Sequence, residues 1–234
     1  MGSRLYSVAI WRAWLVPSPN GGSRAIRALA PDLRSAGFRR FGVTFNRESE
    51  PGLIHVVGFQ GSRWGGQFTV NLGIYVREID ALFDNGWGRQ GKAGEPGRDG
   101  AVREEICWLL TRLGRLAPGG DSDDKWWSYE DPEAAAEDVR GRFIRDAAPA
   151  FAQAASRAAL IAQWDRRQSA GPSEQGWPWR IERRAPLGYA VLLKAVGRET
   201  DAQRVVHEVS ASSRGTPFHG TVEVLAEDIG LVAD

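Results

Sequence analysis

The fold of this chain is decided by one stretch of alternating residues, Gln67-Phe68-Thr69-Val70-Asn71-Leu72-Gly73-Ile74-Tyr75-Val76. Every even position in it is apolar, and every odd position is polar or small. Because a strand points successive side chains to opposite faces, this period of two predicts a strand with one apolar and one polar face. We expect the apolar face to be covered and the polar face to be at least partly open.

Two similar runs precede this stretch, at residues 38–47 and 53–61, and short turns that contain Gly or Pro separate the three runs. This spacing predicts an antiparallel meander of three strands. Residues 105–113 are mostly apolar and are followed by Gly114, which fits a buried fourth strand slightly better than a helix. Both interpretations of that segment remain open.

Helical patterns flank the strands on both sides in the chain. Ser23 is a candidate N-cap and Gly37 a stop, so a helix is expected over residues 23–36, with a kink or a late start caused by Pro31. Helices and strands must bury each other's apolar faces. The predicted fold class is therefore α+β, with an antiparallel meander of three to four strands packed against helices.

A second helical region opens at Asp131-Pro132-Glu133, which has the order of an N-cap, a first-turn proline and a first-turn acid. Helical residues are expected over 132–165, with a break at Pro149. Together with the helix over residues 23–36, this region should cover the apolar face of the sheet.

The C-terminal tail is predicted to form a helical hairpin from residues 187–196 and 201–210, followed by a helix over 221–229. The hairpin is similar to one unit of a tetratricopeptide-type repeat, but an array needs about three units, so we expect no peptide groove. It should pack on the main domain or on a second copy of the chain. The predicted organisation is an extension (1–22), an α+β domain (23–168), a linker (169–180) and a helical appendage (181–234).

Several short motifs follow one another in order: Gly37-Phe38-Arg39-Arg40, Thr44-Phe45-Asn46-Arg47, Gly58-Phe59-Gln60-Gly61-Ser62-Arg63 and Phe68-Thr69-Val70-Asn71-Leu72-Gly73-Ile74, then Cys107…Arg112-Leu113-Gly114 and Asp124-Lys125-Trp126-Trp127. This series covers about residues 23–165 and resembles the bacterial domain of unknown function 4304. The resemblance implies a shared fold, and it implies no activity.

Composition excludes several classes of function. The net charge is +1, whereas a protein held by nucleic-acid phosphates usually carries a basic excess, so we expect no nucleic-acid partner. The single cysteine, Cys107, forms no intrachain disulfide. Since no stretch is apolar enough for a signal peptide or a membrane span, we expect no membrane partner and a cytoplasmic protein.

Catalytic and metal-binding motifs are not recognisable in the sequence. His55, His207 and His219 fall in different segments without the spacing of metal ligands, and His55 lies on the apolar face of its predicted strand. Cys107 has apolar neighbours, so a structural thiol is expected. The acidic residues Asp121, Asp123 and Asp124 lack the glycine and the distal glutamate of a calcium loop. We expect no cofactor and no metal, and we lean against an enzyme.

The polar face of the meander is the candidate site. Thr44, Asn46, Gln60, Thr69 and Asn71 should share this face by strand alternation. Amide, hydroxyl and guanidinium groups beside an aromatic ring suit a small polar ligand or the backbone of a partner, and a solvated face is the alternative. The residues predicted to bind a ligand or a partner are Asn46, Gln60, Arg63, Trp64, Asn71 and Arg112.

Two hypotheses for function follow. The first is a non-catalytic bacterial binding protein, such as an immunity or adaptor-like protein that covers another protein. The alternative is an enzyme or a small-ligand sensor that uses the polar face around Gln60 and Asn71. The expected partner is thus another protein or a small polar ligand, and a homodimer through the C-terminal helices is a further option.

Overall fold

The computed structural model describes residues 21–84, 100–116, 125–170, 179, 185–216 and 218–233. The strands in them are β1 (Arg39–Phe41), β2 (Thr44–Glu50), β3 (Leu53–Gly61), β4 (Gln67–Val76), β5 (Leu109–Arg112) and β6 (Trp127–Ser128). The helices are α1 (Gly21–Ser35), α2 (Arg77–Asp84), α3 (Pro132–Arg142), α4 (Ala148–Gln153), α5 (Arg157–Ala170), α6 (Ala185–Ala195), α7 (Glu199–Ser213) and α8 (Phe218–Asp228). A π-helical segment (Phe143–Ala147) joins α3 to α4, and short 3-10 turns lie at Glu104–Ile106 and Leu113–Arg115.

All pairs of neighbouring strands in the sheet are antiparallel, in the order β1-β2-β3-β4-β5, and β6 pairs with the start of β4. The central strands β3 and β4 pair over their full length, from Leu53 opposite Val76 to Gly61 opposite Phe68. The predicted antiparallel meander and the α+β class are therefore confirmed.

Two strand predictions need correction. The first predicted run is two strands, because Gly42 adopts a φ of 64° and turns the chain back on itself between β1 and β2. The fourth strand is shorter than residues 105–113, since Glu104–Ile106 form a 3-10 turn and pairing begins only at Leu109. The reason for this turn lies in the contact that Glu104 makes with the sheet, described below.

The apolar face of the sheet forms the main core with α1 and with the helices from α3 to α5. Helix α1 begins at Gly21 and continues through Pro31, so the predicted late start is wrong. It stops as predicted at Gly37, whose φ is 86°. The Phe38 N–H then donates to the Leu33 carbonyl at 2.9 Å, which is the hydrogen bond expected after a left-handed glycine cap.

Helix α3 begins as predicted, with the Asp131 carboxylate accepting from the Ala134 N–H at 2.9 Å. The predicted break at Pro149 is wrong, because the chain stays helical from Pro132 to Gln153. The wider π-helical turn just before Pro149 relieves the clash of a proline ring with the preceding turn. The helix ends after Gln153, and the Ser156 hydroxyl, which accepts from the Ala159 N–H at 3.0 Å, caps α5.

The C-terminal helices pack on the sheet domain, as one of the two predicted arrangements requires. The Trp108 indole N–H donates to the Ala185 carbonyl at 3.1 Å, and a Cβ at Gly188 would lie 2.3 Å from the Trp108 Nε1 atom. The Trp164 and Tyr189 rings stack with centroids 5.0 Å apart. One apolar core thus runs from the sheet into α6, α7 and α8. The homodimer stays a prediction.

Candidate functional site

The polar side chains selected from the sequence do share one face of the sheet. The register places Gln60 opposite Thr69 and Asn71 opposite Arg112, while Asn71 also faces Gly58. The Asn71 Nδ2 atom donates to Gln60 Oε1 at 2.9 Å. The prediction that Gln60 and Asn71 point to the same side of the sheet, with an arginine beside them, is therefore confirmed.

The middle of this face is covered by the chain itself, so the face, which was expected to be at least partly open, is open only outside this cover. Residues 100–107 lie across it, and Val102 and Ile106 form a small second core with Val56 and Tyr75. The buried Asn46 amide pairs with the Val102 backbone at both ends, donating to the carbonyl at 2.8 Å and accepting from the N–H at 2.9 Å. Because this amide holds the fold, we remove Asn46 from the candidate site.

Two glycines in the strand interiors make room for the covering segment. A Cβ at Gly58 would lie 2.2 Å from Oε2 of Glu104, and a Cβ at Gly73 would lie 2.5 Å from the Cys107 sulfur. Glycine inside a strand often marks the close approach of another part of the chain, so these positions were the signal in the sequence for a cover on this face. That signal was missed, and with it Glu104.

Glu104 joins Asn71 and Gln60 in a polar cluster at the border of the cover. The second hydrogen of the Asn71 Nδ2 atom points to Glu104 Oε1, at an N–O distance of 3.1 Å, so both donors of this amide are used. Burial raises the pKa of the Glu104 carboxyl, and the nearby Glu105 charge raises it further. A carboxyl with a raised pKa beside two amides is the chemistry that could hold a small polar ligand.

Two pairs of aromatic and basic side chains lie near this cluster, one at the turn between β3 and β4 and one on the β5 and β6 side of β4. The Arg63 guanidinium lies 4.5 Å from the Trp64 ring centroid, and the Trp64 side chain is 83% exposed. The Arg112 guanidinium lies 5.4 Å from the ring of the half-buried Trp126. We call this the hairpin-end surface, and its members are Gln60, Arg63, Trp64, Arg112 and Trp126.

Trp127, the neighbour of Trp126, points the opposite way into the main core. Its indole N–H donates to an Asp138 carboxylate oxygen at 2.8 Å, and its ring stacks on Phe68 at 5.8 Å. Trp179 is also buried, 5.9 Å from the Phe151 ring. Trp127 and Trp179 therefore pack against the body of the protein, while Trp126 contributes to the surface.

His55 is a fully buried histidine on the core face, on the far side of the sheet from the candidate site. Arginine can only donate, so the Arg47 Nη2–H bonds to Nδ1 of His55 at 3.0 Å. The Nε2–H then donates to the Ala154 carbonyl at 3.0 Å. Burial lowers the pKa of His55 to about 4, which keeps the ring neutral and confirms the interpretation of His55 as a satisfied histidine.

The remaining candidates from the sequence are placed as follows. The Cys107 sulfur donates to the Arg103 carbonyl at 3.6 Å, and His219 contacts the Ser213 hydroxyl at 3.2 Å. Across the described ranges, no three His, Cys, Asp or Glu side chains come together as a metal site. None of the helices in those ranges has the length and apolar character to span a bilayer. The predictions for residues 1–20, 85–99 and 117–124, including the acidic cluster, lie outside the described residues.

Comparison with known proteins gives one match. The model of a family described as "Domain of unknown function (DUF4304)" matches residues 29–153, which is more than half of the 234-residue chain. No curated protein and no solved structure matches the chain. The matched residues include the whole sheet and every candidate site residue.

Proposed function

The chain belongs to the DUF4304 family, which brings no activity with it, and we propose from its own side chains that it is a non-catalytic binding protein of the bacterial cytoplasm. Its partner is another protein, which docks on the hairpin-end surface. An immunity or adaptor role, in which this chain covers a surface of the partner, fits such a mode of binding.

The observation that carries this proposal is the exposure of Trp64. A tryptophan side chain with 83% of its surface in solvent loses a large apolar area from water when a partner covers it. Arg63 holds the ring from one side through a cation–π contact, which limits the freedom that the side chain would lose on binding. Tryptophan and arginine are the residue types most enriched among those that dominate protein–protein affinity.

A second arginine–tryptophan pair supports a surface rather than a single anchor. Arg112 and Trp126 lie at the same end of the sheet, because Arg112 pairs with Asn71 on β4 and Trp126 precedes the β6 residue that faces Phe68. Gln60 faces Thr69 from β3, three residues before Arg63, and offers an amide on the same face of the sheet as Asn71. Aromatic rings with polar neighbours at the rim are the usual anatomy of a protein interface.

Two of the described side chains that could serve as a base or a nucleophile, His55 and Cys107, are already used in the fold, which supports a role without catalysis. His55 is buried on the opposite face with both ring nitrogens hydrogen-bonded. Cys107 packs against Gly73 and contacts the Arg103 carbonyl. Neither side chain lies within the hairpin-end surface.

Site-specific cross-linking in cells of the source organism tests the proposal. A photoreactive amino acid replaces Trp64 in one strain and Val224, an exposed apolar residue of α8, in another. We expect one defined protein to be linked from position 64 and not from position 224. That protein is then purified, and its affinity is measured for wild type, W64A and R112A.

We expect W64A to lose about 2 kcal/mol of binding, or roughly 30-fold in Kd, as is typical of a central tryptophan. The matched control for R112A is R145A, which removes an arginine of the π-helical segment at the far side of the sheet. Unchanged affinity for W64A and R112A, with their melting temperatures intact, would show that the partner docks elsewhere and that the proposal is wrong.

A second candidate function, a sensor for a small polar ligand, is favoured by the Glu104 carboxyl beside Asn71 and Gln60. The variants N71A and Q60A separate the two roles of this cluster. A large loss of thermal stability marks a network of the fold, whereas unchanged stability with loss of a bound metabolite marks a ligand site. Native mass spectrometry of the purified protein measures such a ligand directly.

A further inference from the structure

A cavity of about 340 Å³ lies on the core side of the sheet, away from the hairpin-end surface. Its walls come from three layers of the fold: Leu29 and Leu33 of α1 with Ala36 just after it, Val57, Phe59 and Val70 of the sheet, and Val139, Phe143, Ile144 and Ala148 of the helical region opposite. The volume falls at the lower end of the range of about 300–1,000 Å³ typical of small-molecule sites. Because its side chains are almost all aliphatic or aromatic, the cavity suits an apolar molecule.

Charged side chains lie at the mouth of the cavity. Arg140 of α3 donates through Nε to the Asp32 carboxylate of α1 at 2.8 Å, which ties the two helices together at the rim. The same guanidinium also pairs with Glu137. Two carboxylates thus surround one guanidinium, and these three side chains carry a net negative charge. A ligand with a carboxylate, sulfonate or phosphate head would meet repulsion there.

The helix geometry beside the cavity also indicates a binding site. Phe143 and Ile144, which line it, belong to the π-helical segment, and π-helical turns are costly features that occur frequently at functional sites. The Ile144 side chain is 64% exposed. A ligand in the cavity would cover part of this side chain and would fill space that well-packed interiors do not normally leave.

We propose that this cavity is a binding site for a small uncharged apolar molecule of about the size of two fused aromatic rings. The apolar walls provide the affinity, and the carboxylates at the mouth exclude anionic molecules of the same shape. The site is independent of the protein-binding function proposed above, because it lies on the opposite side of the sheet.

Two fluorescent probes with the same ring skeleton test the proposal on the full-length protein. N-phenyl-1-naphthylamine is uncharged, and 1-anilinonaphthalene-8-sulfonate adds one negative charge. We expect saturable binding of the uncharged probe and binding of the sulfonate that is about tenfold weaker. E137Q should reduce the difference in affinity between the two probes by strengthening the binding of the sulfonate, since it removes one of the two carboxylates that pair with Arg140 at the rim.

Filling the cavity from its wall supplies the structural control. A148F places a ring into the cavity from α4 and should abolish binding of the uncharged probe. A152F makes the same change one turn along the helix at an exposed residue outside the cavity and should bind the probe like wild type. If A148F does not fold, A36L fills the cavity from the residue that follows α1, and a thermal melt establishes the folding of each variant.

Three outcomes would overturn the proposal. The first is that wild type does not bind the uncharged probe. The second is equal binding by wild type and by a folded filling variant, which would place the probe on the outer surface. The third is binding only after removal of residues 1–20, which would show that the chain's own N-terminal segment takes the site.

Discussion

Acid should weaken this fold through His55, and the size of the effect follows from the burial of the ring. The folded pKa of His55 is lowered to about 4, whereas a histidine in the unfolded chain titrates near 6.5. Between these two values the unfolded chain binds a proton that the folded chain does not. The contribution of His55 is therefore fully present above about pH 6.5 and is lost as the pH falls through this window, by about 3 kcal/mol at pH 4.

The physical cause of the lowered pKa is that the core does not stabilise the charge of a protonated His55 ring. Nδ1 accepts from Arg47, so a proton on Nδ1 would remove that hydrogen bond and set two cations against each other. The ring also stacks on Phe151 with centroids 4.7 Å apart, which leaves no water beside it to solvate a charge. Other groups titrate in the same window, so the effect must be isolated by a variant.

H55Q is that variant, and urea unfolding followed by tryptophan fluorescence is the assay. The difference in free energy of unfolding between wild type and H55Q should shift by about 3 kcal/mol in favour of H55Q between pH 7 and pH 4. H207Q on α7 controls for the loss of a histidine as such. Parallel losses for wild type and H55Q would refute the reasoning, since they would mean that His55 charges in the folded state.

Three further predictions concern the cover of the polar face and the tail. G73A should lower the melting temperature, because its Cβ would lie 2.5 Å from the Cys107 sulfur and 2.9 Å from the Cys107 Cβ, while G141A, where a Cβ meets nothing within 4 Å, should not. N46A should lower the free energy of unfolding in urea by about 2–4 kcal/mol, since it leaves the buried N–H and C=O of Val102 without their partners. A loss below about 0.5 kcal/mol would show that water replaces the amide. Deletion of residues 181–234 should lower the melting temperature or the solubility, because it removes the contacts of Ala185 with Trp108 and of Tyr189 with Trp164. An unchanged melting temperature would mean that the tail is an independent module.

Local patterns predicted the sheet because the signals for it lie within single segments. The alternation in β4 and the caps at Gly37 and Asp131 each depend on residues close in sequence, and the structure confirms them. The interpretation of Pro149 failed because a π-helical turn accommodates the ring without breaking the helix.

The state of the polar face could not be predicted in the same way, because it depends on contacts between distant residues. Asn46 and Val102 lie 56 positions apart, and no periodicity joins them. The role of Glu104 could not be predicted either, since it depends on contacts with Gly58 and Asn71 on two different strands. The hairpin-end residues, by contrast, are close neighbours of the strand ends, so their placement followed from the strand pattern.

The pairing of the Asn46 side chain with the Val102 backbone has a consequence for how this fold can be re-engineered. Where the chain returns to the sheet after α2, the Asn46 amide of β2 holds the Val102 backbone through two hydrogen bonds and so fixes its position on the sheet. A guest domain introduced into the connection between α2 and Gly100 should therefore leave the strand register intact. A variant with a guest domain inserted there should keep a cooperative melt, which would make this protein a carrier for other domains.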